Sequence, residues 1–214
     1  MTKSNVGTCF LCKEKINHRS IVKHISQCLE KSEPDSEKNK PSEKEKIFLI
    51  KVSSGKYFWL YIEINGSATL DHLDSLLRET WLECCGHMSQ FDINGKYYSS
   101  NGEMHKTIHK VLEVGSPFDY EYDFGTTTHL AGKVISVRSG QLKNDARLIA
   151  RNDLPEDLSC TTCQNKPEVI CSVCYDFCCK KCKKKHDDCE GEEFMLPVVN
   201  SPRMGMCGYT GEEG

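Results

Sequence analysis

The chain is predicted to be α+β, a mixed-sheet central domain flanked by an N-terminal C2HC zinc finger and a C-terminal two-zinc module. Three observations predict this. Residues 47–150 hold β-branched and aromatic runs around a segment whose apolar residues recur at three and four. Cys9, Cys12, His24 and Cys28 are spaced C-x2-C-x11-H-x3-C. Cys160, Cys163, Cys171, Cys174, Cys179, Cys182, His186 and Cys189 form four pairs, each C-x2-C or H-x2-C.

Composition narrows the class. Of 214 residues, 38 % are hydrophobic and 28 % charged, as in a soluble protein with a limited core. The 14 cysteines fall mostly in close pairs near histidines rather than as a secreted disulfide framework. That argues for metal sites in a reducing, cytoplasmic compartment. Residues Met1 to Thr8 lack the apolar core of a signal peptide, and no apolar run approaches a membrane span. A net charge of −3 gives no global pull towards nucleic acid.

In residues 1–30 a knuckle supplies Cys9 and Cys12. A helix over Ser20 to Glu30 places His24 and Cys28 one turn apart on one face. Ile16, Ile21 and Ile25 form a core too small to fold alone, so the ion supplies folding energy. Cys9-Phe-Leu-Cys12 and Ile21-Val-Lys-His24-Ile-Ser-Gln-Cys28-Leu resemble the ubiquitin-binding zinc fingers (UBZ) of DNA-repair proteins. The resemblance implies a ubiquitin-like partner. Ser26 stands where that family carries an acidic residue. The alternative is nucleic-acid contact through Lys13, Lys15, Arg19 and Lys23.

Residues 31–46 alternate Glu, Lys, Ser and Pro and read as a flexible linker that decouples the finger. Strands follow at Ile47–Val52 and Tyr57–Ile64. Thr69 or Asp71 caps a helix carrying Leu70, Leu73, Leu76, Leu77 and Trp81. Asn94-Gly95 marks a hairpin. A short helix over Met104 to Leu112 precedes strands at 118–124, 128–137 and 146–150. Trp59-Leu-Tyr-Ile-Glu-Ile, Ala68-Thr-Leu-Asp-His-Leu-Asp, Trp81, Gly86-His87-Met88-Ser-Gln-Phe91 and Tyr122-Asp-Phe-Gly125 resemble the plasmid pRiA4b ORF-3-like family. That resemblance spans 47–150 and implies a compact α+β fold without an established reaction.

Were this domain an enzyme, His72, His87, His105, His109 and His129 would be its candidate bases and Cys84 or Cys85 its nucleophile. His105 and His109 would lie one helical turn apart, a weak metal signature without an acidic partner. Adjacent Cys84 and Cys85 read as packing at a helix end, and His87 as a capping or hydrogen-bonded residue. The expectation is no catalysis.

Residues 151–158 read as a polar hinge with Pro155, and 159–200 as the two-zinc module. Alternation suggests a cross-brace: Cys160, Cys163, Cys179 and Cys182 on one ion, and Cys171, Cys174, His186 and Cys189 on the other. A sequential arrangement is the alternative, and Cys178 competes with Cys179 as ligand. The eight-ligand pattern resembles the B-box, a small protein-interaction module, with Cys189 in place of a terminal His. Lys180 to Lys185 make a solvated face or a phosphate-attracting one. Residues 201–214 read as a mobile tail in which Cys207 has no partner nearby. Together these readings give an adaptor with three structural Zn2+ ions that acts by protein–protein recognition. Nucleic-acid binding is the alternative, and membrane association is not expected.

Overall fold

The structure is a computed structural model that describes residues 5–32, 45–186, 189 and 194–211. Nine strands form one sheet: β1 (Val6–Cys9), β2 (Lys15–Asn17), β3 (Lys46–Ser54), β4 (Phe58–Asn65), β5 (Ser89–Ile93), β6 (Lys96–Ser99), β7 (Pro117–Tyr122), β8 (Thr128–Ser139) and β9 (Ala146–Asn152). Their order is β2-β1-β9-β4-β3-β8-β7-β5-β6. A second sheet, near the C-terminus, has the order β11 (Phe177–Cys178), β10 (Val169–Cys171), β12 (Met195–Pro197). The helices are α1 (Ile21–Ser32), α2 (Leu70–Leu77) and α3 (Ile108–Val111).

The class is α+β, but the main sheet is antiparallel and not mixed. Every strand pairing among the described residues is antiparallel. Tight turns join β3 to β4 and β5 to β6, and such turns connect only antiparallel neighbours; a parallel pair needs a long crossover.

Alternation along β3 and β4 explains their nearly unbroken apolar sequence. Phe48, Ile50, Val52, Leu60, Ile62 and Ile64 point into the main core, which α2 covers with Leu70, Leu73 and Leu77. Leu49, Trp59 and Tyr61 point the other way, against Ile21 and Ile25 of α1. Strands buried on both faces lose the polar half of the period-two pattern. Thr69 caps α2, and His72 reaches back so that its Nδ1 accepts from the Thr69 N–H at 3.1 Å. After Leu77 the helix widens into a π turn over Arg78–Leu82 that buries Trp81 and Leu82.

The finger is therefore not decoupled. β1 pairs with β9, Thr8 opposite Arg151, and α1 lies on the sheet. The His18 ring stacks on Trp59 at 4.6 Å, and Trp59 Nε1 donates to Asn5 Oδ1 at 2.5 Å. A finger with so few apolar residues completes its core on its neighbour's strands. Residues 33–44 of the predicted linker lie outside the described residues. The predicted hinge is strand at its start, since Arg151 and Asn152 belong to β9. The predicted helix over 104–112 is a 3-10 turn at Glu103–His105, a break, and then α3. His105 and His109 consequently do not share a helix face.

Gly7 sits where a side chain has no room: a Cβ there would overlap the Trp59 ring and the Arg151 carbonyl. Gly7→Val is expected to destabilise the fold by about 1–3 kcal/mol, as overpacking does, and to raise hydrogen exchange in α1 and β1. Unchanged exchange there would contradict the docking.

His18 adds a pH dependence. Burial, reinforced by Lys51, depresses its pKa below 6.5, so the folded protein favours the neutral ring. Below the ordinary value the unfolded chain binds the extra proton more readily, so stability falls as pH drops through 6.5 towards the depressed value. Melting curves should show a larger acid loss in the wild type than in His18→Phe; equal losses would contradict this.

Candidate metal centres

The described residues hold four groups of Cys and His whose ligand atoms all lie within 4.8 Å of one another, and each group can hold a metal ion. Three gather the residues singled out in the sequence. The fourth is new.

The first group is Cys9, Cys12, His24 and Cys28. β1 ends on Cys9, and the chain folds back through Lys13 in the left-handed conformation (φ 66°). The Cys9 N–H donates to the Glu14 carbonyl at 3.0 Å, and the Lys13 N–H to the Cys9 carbonyl at 2.7 Å. α1 stacks His24 over Cys28, and His24 Nε2 lies 3.2 Å from the sulfurs of both Cys12 and Cys28.

The same turn recurs twice. Gln164 (φ 63°) follows Cys160, and Tyr175 (φ 62°) follows Cys171, each four residues on like Lys13 after Cys9. The Cys160 N–H donates to Asn165 and the Cys171 N–H to Asp176; the Gln164 and Tyr175 N–H groups return to the cysteine carbonyls. A non-glycine residue at positive φ is uncommon. Three such residues at one offset from a C-x2-C cysteine mark one repeated device, a turn that aims two sulfurs at one point.

The C-terminal groups are Cys160, Cys163, Cys179 and Cys182, and Cys171, Cys174, His186 and Cys189. Their ligands interleave along the chain, the cross-braced arrangement rather than the sequential one. Cys163 and Cys179 sulfurs are 3.5 Å apart, as are Cys174 Sγ and His186 Nε2. Cys178 is buried on β11 and belongs to neither group. The apolar run after Glu193 supplies β12, which pairs with β10. Lys183–Lys185 form a 3-10 turn on which Lys184 and Lys185 are exposed.

The electrostatics show what these groups require. Burial opposes ionisation of Cys160, but N–H donors from Cys179, Cys163 and Thr162 outweigh it and bring its pKa down to about 6. Cys171 likewise falls to about 6, its burial outweighed by the Cys174 and Val173 N–H groups. Their neighbours move the other way. Cys182 is pushed up to about 12, first by its contact with Cys163, and Cys189 to about 12 by burial and by Cys171. Cys28 rises to about 12 through burial and its neighbour Cys12. Cys179 is drawn down as well, first by the Cys182 N–H. Cys182 and Cys189 ionise readily only when a cation balances the thiolates beside them.

The fourth group is Cys84, Cys85, His87 and Cys207. The π turn ends at Glu83 and delivers the two adjacent cysteines to one point, so they are more than packing at a helix end. Cys85 Sγ is 3.7 Å from the sulfurs of both Cys84 and Cys207. His87 Nε2 is 3.0 Å from Cys85 Sγ and 3.2 Å from Cys207 Sγ. Cys207 thus has partners 120 and 122 residues away in sequence.

The tail that carries Cys207 packs against the main domain through Arg203 and Tyr209; residues 212–214 lie outside the described residues. Arg203 is fully buried, donates to Asp123 Oδ2 at 2.6 Å and lies over the Tyr122 ring. Ser201 Oγ donates to the Trp81 carbonyl at 2.5 Å.

The other histidines of the middle domain are dispersed. His72 caps α2 and faces Asp145, His105 contacts the Gly102 carbonyl, His109 the Gly66 carbonyl at 2.6 Å, and His129 faces Glu121. No helix among the described residues is long and apolar enough to cross a membrane.

No protein-family profile matches the chain, and no curated protein matches it. Among solved structures it is similar to a protein of unknown function, MM3350, from Methanosarcina mazei Go1, at 16 % identity and a TM-score of 0.41. The match covers 50 % of this chain and 67 % of that one.

The geometry separates neighbouring thiols. Cys160→Ser should lower the metal bound per chain, whereas Cys178→Ser should leave it unchanged, as read by elemental analysis of the folded protein. The reverse order would contradict the grouping.

Proposed function

We propose that the chain is a zinc-stapled interaction protein that acts by recognition rather than turnover. The three groups at Cys9, Cys160 and Cys171 hold structural Zn2+. The supporting observation is the donor set. Each group offers four nitrogen and sulfur ligands and no carboxylate, the closed set of a structural zinc site, whereas catalytic zinc keeps a position for water. Such sites need reduced thiols, which fits a cytoplasmic setting.

A protein is the preferred partner. The metal turns carry exposed apolar side chains at their tips: Phe10 on the first, and Val173 and Tyr175 on the third. On α1 the Ile21/Ile25 face is taken by the chain's own sheet, which leaves Val22 and Ser26 outward for a ubiquitin-like protein, the class suggested by the UBZ resemblance. Nucleic acid is the second reading, favoured by Lys183–Lys185.

Titration of the isotope-labelled protein with ubiquitin tests the first reading. Shift changes centred on Val22 and Ser26 are expected. No change at a large excess of ubiquitin would remove that class of partner. A mobility shift of DNA or RNA at low salt, lost as salt rises, would favour the second reading instead. Zinc itself is tested by native mass spectrometry, where fewer than three ions per chain would contradict the structural sites.

A further inference from the structure

We propose that Cys84, Cys85, His87 and Cys207 form a fourth zinc site, and that its ion clamps the C-terminal strap so that the two-zinc module is fixed to the main sheet. The distances fit one tetrahedral ion. Zn–S bonds of about 2.3 Å set two sulfurs of one site about 3.8 Å apart. The two sulfur–sulfur distances around Cys85 are both 3.7 Å. The His87 nitrogen lies 3.0 and 3.2 Å from Cys85 and Cys207, inside the ligand edge of about 3.5 Å that the same bond lengths imply. Three thiolates and a neutral imidazole around Zn2+ leave one negative charge. Buried Arg203, which also pairs with Asp123, interacts with Cys84 and offsets part of that charge. Tyr122 OH lies 3.8 Å from Cys84 Sγ, so the ring under Arg203 also reaches the site. Outer partners of this kind hold metal ligands in place.

The position of Cys207 gives the ion its mechanical role. The two-zinc module leaves the main sheet after β9 and returns through β12. From there the strap passes Asn200, whose side chain exchanges hydrogen bonds with Asn152 of β9 and whose carbonyl accepts from Arg151. It continues through Ser201 and Arg203 to Cys207. Cys207 is held at φ 48°, an uncommon conformation for a non-glycine residue that persists where surroundings impose it. With the ion in place the module is anchored at both ends, through β9 and through Cys207. Without it, the last turn of the strap lacks its sulfur ligand link to the loop after α2.

Cys85 and Cys207 are both exposed, so replacing either leaves the buried core intact. Native mass spectrometry of the full chain should count one Zn2+ fewer in Cys207→Ser, and in Cys85→Ser, than in the wild type. Hydrogen exchange should rise at least tenfold across residues 201–209 in both variants, with α1 and β1 unchanged. An unchanged zinc count would overturn the site. One ion fewer with unchanged exchange over 201–209 would overturn the clamp. Loss of zinc from the other three groups in the wild type would instead strike the proposed structural sites, and the two failures are told apart by which count changes.

Discussion

Thiols gathered within 4.8 Å of one another cannot all ionise without a cation among them, and that constraint applies at four places among the described residues. It appears in the opposed pKa shifts within one group: Cys160 drawn down by backbone N–H donors, Cys182 driven up by the sulfurs beside it. Leaving such a group without an ion leaves thiols such as Cys182 protonated and crowded against their neighbours. Filling it converts the same crowding into folding energy. The finger and the C-terminal module contain too few buried apolar residues to be held by burial alone.

The antiparallel sheet gives these stapled pieces a common platform. β1 extends the sheet beyond β9, so the finger borrows Trp59, Tyr61 and Ile149 for its core. The strap from β12 returns to the segment after α2, where Ser201 meets the Trp81 carbonyl and Arg203 is buried against Asp123 and Tyr122. A flanking module tethered once would swing about its linker. Here pairing, stacking and a buried ion pair hold each flank at more than one point.

Much of this was legible in the residues. The C-x2-C spacing located three ligand groups because two sulfurs on one turn are a local feature. The strands at 47–65 and the hairpin at Asn94-Gly95 were legible for the same reason, since β-branched runs and positive-φ turns act within a few residues. What was hidden is long-range. Adjacent Cys84 and Cys85 carry no metal spacing of their own, and Cys207 lies more than a hundred residues away; only the fold joins them. The one available signal was that Cys84-Cys85-x-His87 follows directly on an amphipathic helix. The docking of the finger was hidden too, because Ile21 and Ile25 look the same whether they close a private core or cover Trp59. Strand direction was not written in the strands themselves but in the shortness of their connections.

The most direct test is anomalous scattering from a crystal of the intact protein, recorded on either side of the zinc absorption edge. The account predicts a peak that vanishes below the edge at the centre of each ligand group, between Cys9 and His24, Cys160 and Cys179, and Cys171 and His186, with a fourth between His87 and Cys207. Well-ordered sulfurs around empty density, or cysteines paired as disulfides in those positions, would contradict it.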